Sequence, residues 1–271
     1  MDMTLKVEDL DCGYGKKKII TDFSMTARMG EVVCILGANG IGKTTLFKTI
    51  LGHLPRLSGK IYIDQKEIQD LSEKEKAKYI SYVPQAHSTP FAFKVLDVVT
   101  MGRIAHLDMF ASPKKHDIDI AGHVLEELGI GYLTDRIFTE ISGGERQMVL
   151  IARALAQESK FLIMDEPTSN LDFGNQVKVL NTVKRLAQKG LGIIMTTHFP
   201  DHALLCSAKV ILLTKEREVI QGSAEQIITR ENLFRAYGVQ VHVADVDING
   251  ARKRFCQPVI GLEETQEESI L

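Results

Sequence analysis

A chain of 271 residues is long for one compact domain and short for two, so one core with an appended smaller unit is expected. Hydrophobic residues at 44% and charged residues at 25% are the balance of an ordinary globular protein. The 33 basic and 35 acidic residues leave a net charge of −2, which excludes a broad basic face for nucleic acid and a polybasic membrane patch.

The opening Met1-Asp-Met-Thr-Leu-Lys6 carries an acid and a base with no apolar run behind them, so no signal peptide is expected. No stretch reaches the ~18 consecutive apolar residues of a membrane span, so any work at a membrane needs a partner to hold the chain there. Cys12, Cys34, Cys206 and Cys256 lie far apart with no C-x-x-C pair, which suits a reducing, cytoplasmic compartment.

In chain order, the first thirty residues read as short strands, with Tyr14 in a turn between Gly13 and Gly15. Glu31-Val-Val-Cys-Ile-Leu36 is a short apolar strand that runs into a glycine-rich loop. A helix is expected over 43–51, stopped by Gly52. Strands follow at 59–64 and 79–83, the second closed by Pro84. Between 85 and 140 the character changes: 95–101 and 118–128 read as helices joined by a loop around Ser112-Pro113, a helical block inserted between core strands. A nearly all-round apolar helix over 148–156 leads into the strand Phe161-Leu-Ile-Met164, then a helix over 175–188 and a strand over 192–196. Strands alternating with helices imply a parallel sheet covered on both faces. Asn249-Gly250 between β-like runs is a hairpin turn signal. The last eleven residues hold four glutamates and no base, so a frayed acidic tail is expected.

The chemistry concentrates at a few points. Gly37, Ala38, Asn39, Gly40, Ile41, Gly42, Lys43 and Thr44 fit G-x-x-x-x-G-K-[ST] between a strand and a helix, the context a phosphate-binding loop requires. Its backbone N–H groups can curl around phosphate oxygens, and the helix end behind it, including Thr45, adds unpaired N–H groups. Lys43 would reach the β- and γ-phosphates of ATP, and the Thr44 hydroxyl would ligate Mg²⁺. Asp165 and Glu166 end a buried strand, where parallel-sheet proteins put ligands: Asp165 suits Mg²⁺ and Glu166 a base for the attacking water. Ser142, Gly143, Gly144 and Glu145 read as a capping box. Two consecutive glycines there exceed what a cap needs, and they suggest that something approaches the backbone closely. Since the lysine loop already cradles phosphate, this second anion site suits a nucleotide held by another copy of the chain. Gln85 is either a surface residue or an amide reaching Mg²⁺ or the water. His198, after the strand over 193–197, could hydrogen-bond a γ-phosphate. The other histidines lack metal-ligand spacing.

Over about residues 4–240 the chain resembles the nucleotide-binding subunit of ABC transporters. Residues 37–44 match its Walker A loop and 161–166 its Walker B strand with the catalytic glutamate. Ser142 to Glu145 match the family signature, Gln85 the Q-loop, Asn170-Leu-Asp172 the D-loop and His198 the switch histidine, while Tyr14 matches the aromatic that stacks on adenine. Ile141 and Asn170 depart mildly from the usual residues without removing a functional group. The resemblance implies an α/β P-loop NTPase fold with a mainly parallel core, an N-terminal antiparallel β-subdomain and a helical subdomain at about 86–145. Residues 241–271 would be a C-terminal extension. It also implies two copies closing head to tail around two ATP at the cytoplasmic face of the membrane, driving permease subunits and, indirectly, a substrate-binding protein, without nucleic acid. Phe91, Phe93, Val95 and Met101 either pack in the core or, for some of them, line a groove that receives a permease helix.

Finer wording narrows the resemblance. Val83-Pro-Gln85, Asp97-Val-Val-Thr-Met-Gly-Arg103 with His106-Leu107, Asn175-Gln176 and Thr197-His-Phe-Pro-Asp-His-Ala203 are similar to importers of iron–siderophore, haem and vitamin B12. The run from Met101 to His116 also resembles the molybdate/tungstate branch. The alternatives are a stand-alone ABC ATPase of translation or DNA repair, which generally carries two cassettes or a coiled-coil insert, and an exporter subunit.

Overall fold

The computed structural model describes residues 3–85, 92–108 and 111–260. Two long strands open the chain, β1 (Thr4–Tyr14) and β2 (Lys17–Arg28), paired antiparallel. They replace the several short strands expected there, because bulges inside the ladder let one strand absorb irregular spacing without ending. The apolar run β3 (Val32–Leu36) is buried throughout and leads through the glycine loop into α1 (Lys43–Ile50). Next come β4 (Ser58–Ile63), the two-residue β5 (Lys66–Glu67), α2 (Glu73–Tyr79) and β6 (Ile80–Val83). Strands β2-β1-β4-β5 form one antiparallel sheet.

The helical block lies between β6 and the next core strand. It holds α3 (Val95–Thr100), which tightens into a 3₁₀ helix over Met101–His106, and α4 (Lys115–Glu127). Then α5 (Gly143–Ala156) runs into β7 (Phe161–Met164). Arg103 ties the block to α5: its buried guanidinium donates to the Ala156 carbonyl at 2.7 Å and pairs with Asp117 and Glu158. The core continues as α6 (Phe173–Gln188), β8 (Gly192–Thr197), α7 (Pro200–Leu205), β9 (Lys209–Leu213) and β10 (Val219–Ser223). Two short helices, α8 (Ala224–Ile227) and α9 (Arg230–Tyr237), precede the hairpin β11 (Val241–Ile248) and β12 (Ala251–Pro258). Asn249 and Gly250 turn that hairpin with φ of 54° and 76°, the left-handed pair that a two-residue turn of this kind needs.

The second sheet is ordered β10-β9-β3-β8-β7-β6, parallel except for β10 at its edge. Its strands are apolar on both faces because both faces are covered. Val32, Cys34 and Leu36 pack with α5, α6 and the helical block, while Val33 and Ile35 face α1 and the antiparallel sheet. That alternation makes two cores from one sheet, and it leaves the carboxyl ends of β3, β7 and β8 side by side. All four cysteines are free, and burial pushes the Cys34 thiol well above its ordinary value. The acidic stretch 261–271 lies outside the described residues.

Candidate functional site

Strand register converts three distant sequence segments into one site. Pairing of Leu36 with Thr197 and of Met164 with Met195 sets the ends of β3, β7 and β8 level, so the loops that follow them meet. After β3, the backbone reaches Gly42 with φ 115° and ψ 10°, a conformation that side chains rarely adopt. A Cβ there would also stand 2.6 Å from Ile19, so only glycine lets the chain turn into α1 at this point.

Lys43 begins α1 and is 5% exposed. Its ammonium donates to the carbonyls of Gly37 at 2.9 Å and Ala38 at 3.2 Å, and stands 3.3 Å from Glu166 Oε1. Thr44 donates its hydroxyl to Asp165 Oδ2 at 2.8 Å. Thr196, in the middle of the sheet, donates to Asp165 Oδ1 at 2.7 Å and accepts from the Glu166 N–H at 2.8 Å. Glu166 holds a left-handed backbone, φ 46°, at the turn out of β7. His198 lies past the end of β8 with Nδ1 3.6 Å from Glu166 Oε2, buried and without a hydrogen-bond partner. Gln85 donates its amide to Ser169 Oγ at 3.3 Å, and Ser169 in turn donates to the Glu166 carbonyl at 2.9 Å.

These residues fit a bound nucleotide with a divalent ion. A buried cation satisfied by its own loop's carbonyls, an orphaned imidazole nitrogen and a hydroxyl–carboxylate pair of hard oxygens are the donor types such a ligand uses. Tyr14 ends β1 with its ring 52% exposed, open to a planar partner.

The loop of His198 is stapled from below. His202, in α7, places Nδ1 3.2 Å from the hydroxyls of both Thr168 and Thr197. Burial pushes its pKa down to about 4, so the ring is neutral near neutrality and can bridge the segment after β7 to the segment after β8. Thr168, Ser169 and Thr196 were not singled out from the sequence, and His202 entered only within the Thr197–Ala203 wording without a role. The signal of the first three was position, at or just beyond the carboxyl end of a buried strand.

Ser142 caps α5 as expected: its hydroxyl accepts from the Glu145 N–H, and the Glu145 carboxylate accepts from the Ser142 N–H at 2.8 Å. The two glycines need separate explanations. A Cβ on Gly144 would stand 2.3 Å from Asn175 Cγ, so the Asn175 side chain is packed against the bare Cα of Gly144. Asn175 itself is held by Asp172, which caps α6 and bonds the Asn175 amide at 2.6 Å. Gly143 has only Leu171 at 4.0 Å and remains open to an approaching group. Among the described residues, no hydrogen bond or ion pair joins residues 142–145 to residues 37–44.

Of the groove candidates, Phe91 lies outside the described residues and Val95 is fully buried, the core-packing alternative. Val95 is inward because α3 begins there and packs that side on α5. Phe93 is exposed, and Met101 lines a cavity of about 1140 Å³ with Leu96, Thr100, Ile104 and Leu107. Among the described residues no helix is long and apolar enough to cross a membrane.

Residues 20–169 match the family model described as ABC transporter. The chain is 44% identical over 235 residues to an ABC transporter ATP-binding protein of Haemophilus influenzae, covering 87% of this chain and 89% of the relative. It is 39% identical over 235 residues to the molybdate import ATP-binding protein MolC of the same organism, covering 86% and 87%. A solved structure of a metal-chelate type ABC transporter in an inward-facing conformation is similar with a TM-score of 0.86 at 35% identity, covering 96% of this chain and 98% of that one.

Proposed function

Because this chain belongs to the ABC transporter family of ATP-binding, ATP-hydrolysing proteins, we propose that it is the ATPase subunit of an importer. The cargo class we infer is a metal chelate, such as an iron–siderophore, haem or cobalamin, or else molybdate/tungstate. The similarity to MolC and to the metal-chelate type transporter supports that class without choosing within it. The observation that carries the reading is the meeting of Lys43, Thr44, Asp165, Glu166 and His198 at the ends of three neighbouring strands.

In this reading Lys43 exchanges its carbonyl partners for phosphate oxygens, and the N–H groups of residues 38–45 cradle the rest of the phosphate chain. Thr44 and Asp165 hold Mg²⁺, with Gln85 as a further ligand. The ion, when bound, supplies charge neutralisation on the β- and γ-phosphates. Glu166 takes the proton of the attacking water, and its neighbours fix the direction of that carboxylate. His198 donates to the γ-phosphate through a ring nitrogen, its Nδ1 having no hydrogen-bond partner within the chain. Tyr14 stacks on the adenine.

The chain works as two copies closed head to tail, with Ser142, Gly143, Gly144 and Glu145 of one meeting ATP on residues 37–44 of the other, and Asp172 beside them. Asn175, packed against Gly144 and bonded to Asp172, sits between these two parts of the proposed contact. One nucleotide-binding unit spans 4–240, with the helical block at about 86–145 inserted in it and residues 241–271 as an extension. The cavity beside Met101 takes a helix of a membrane permease, so the subunit sits on the cytoplasmic face as a peripheral protein. Purification of the tagged chain from gently solubilised membranes tests this. A many-span permease should accompany it at one to one, whereas recovery only from the soluble fraction with ribosomes or DNA would favour a stand-alone ATPase.

A further inference from the structure

We propose that Thr196 is a positioning residue that aims both the metal-binding and the proton-accepting carboxylates of the site. The inference rests on the roles given above to Asp165 and Glu166. β8 is buried along its whole length, and Thr196 is fully buried within it. A hydroxyl at such a position costs free energy unless it is bonded, so a strand that needed only packing would carry valine. Its bonds go to two consecutive residues of the neighbouring strand's end. The Thr196 hydroxyl donates to Asp165 Oδ1 at 2.7 Å and accepts from the Glu166 N–H at 2.8 Å.

Each bond settles a different degree of freedom. Holding Oδ1 fixes the rotation of the Asp165 carboxylate, so that Oδ2 is the oxygen turned toward Thr44 at 2.8 Å. Holding the Glu166 N–H pins a peptide group beside a left-handed backbone angle, φ 46°, that a glutamate does not adopt without outside support. The same turn carries the Glu166 carboxylate to 3.3 Å from Lys43 and 3.6 Å from His198. The adjacent Thr197 does not share this task. Its hydroxyl accepts from the Phe199 N–H at 3.1 Å and meets His202, on the other side of the strand. Two neighbouring threonines therefore divide the work: Thr197 holds the His198 loop and Thr196 holds the two acids.

The test compares T196V, which keeps shape and loses the hydroxyl, with T196S, which keeps the hydroxyl and loses the methyl. Steady-state ATP hydrolysis, the Mg²⁺ concentration for half-maximal rate, and binding of a fluorescent ATP analogue in EDTA are measured on the full chain. T196V should lower kcat about 10- to 100-fold, the effect of leaving one buried N–H and one carboxylate oxygen unpaired. It should raise the Mg²⁺ half-saturation about threefold or more while metal-free nucleotide binding stays within about twofold. T196S should recover kcat to within about threefold of the unaltered chain. A packing role would do otherwise: valine, which keeps the shape, would retain the rate, while serine, which leaves a methyl-sized void, would lose rate and binding capacity together with the Mg²⁺ half-saturation unmoved. That pattern, or a T196V chain with unaltered kcat and Mg²⁺ dependence, overturns the inference. If T196V does not fold, T196C replaces it, since a thiol is only a weak donor and acceptor in place of the hydroxyl. E166Q run alongside separates the two levels: an active E166Q refutes the site assignment, whereas an inactive E166Q with an unaffected T196V refutes only the role of Thr196.

Discussion

Two glycine-to-alanine changes in the helical block should move stability in opposite directions. Gly102 lies in the 3₁₀ helix against α5, where an added Cβ would stand 2.1 Å from the Arg153 carbonyl oxygen and 3.2 Å from the Ala156 Cβ. The obstacle is backbone, so no side-chain rotation relieves it, and the overpacking cost belongs at the upper end of the usual range, about 3 kcal/mol. Alanine also restricts the unfolded chain, which returns up to ~1 kcal/mol and leaves a net loss of about 2 kcal/mol. Gly122 sits inside α4 with nothing within 4 Å of its would-be Cβ. There the same change contributes ~1 kcal/mol through helix propensity alone. In a chain of this size each kcal/mol moves the midpoint by ~2–4 °C, so calorimetry should find G102A lower by ~4–8 °C and G122A higher by ~2–4 °C. The clash also lies next to Arg103, whose bonds to Ala156, Asp117 and Glu158 anchor the block. A G102A chain as stable as the unaltered one would show that the 3₁₀ helix does not sit on α5 in this way.

Removing the base should separate binding from chemistry: E166Q is expected to keep ATP binding and slow hydrolysis by ~10³-fold or more, about 4 kcal/mol of barrier, while K43A weakens nucleotide binding itself in a fluorescence titration. His202 predicts a pH dependence. Its folded pKa of about 4 lies below the ordinary 6.5, so the unfolded chain takes up the proton first and stability falls as pH drops from 6.5 toward 4. The full loss is about 3 kcal/mol, and urea midpoints of H202N compared with the unaltered chain should lack that component. Charging the cavity beside the helical block with M101E or I104E should leave hydrolysis by the purified chain intact and abolish transport in cells. Equal loss of both activities would remove the permease from that cavity.

Residues with one strong local requirement were legible in the sequence. The loop over 37–44, the Ser142 capping box and the Asn249-Gly250 turn each depend on spacing within a few residues, and each forms as expected. Strand 161–164 and its two acids were legible for the same reason. What stayed hidden depends on partners far along the chain. Thr196 reads as an ordinary β-branched strand residue until register sets it against Asp165, 31 residues away. The packing of Gly144 against the side chain at position 175 is likewise something no local rule reveals. β9 and β10 were not anticipated either, although β9 carries a fully apolar Val210-Ile-Leu-Leu213 run. Whether Val95 packs inward or lines a groove stayed open in the sequence because an apolar residue at a helix start can face either way until the helix is docked.

The proposed ATP site is complete only when nucleotide joins two copies through Ser142 of one and the lysine loop of the other. Light scattering of E166Q with MgATP measures this directly. The predicted mass is about twice the 30.2 kDa of the chain, returning to the single value when ATP is withheld or when S142R is added to E166Q. A chain that binds ATP yet remains at 30.2 kDa under all three conditions would contradict the shared site.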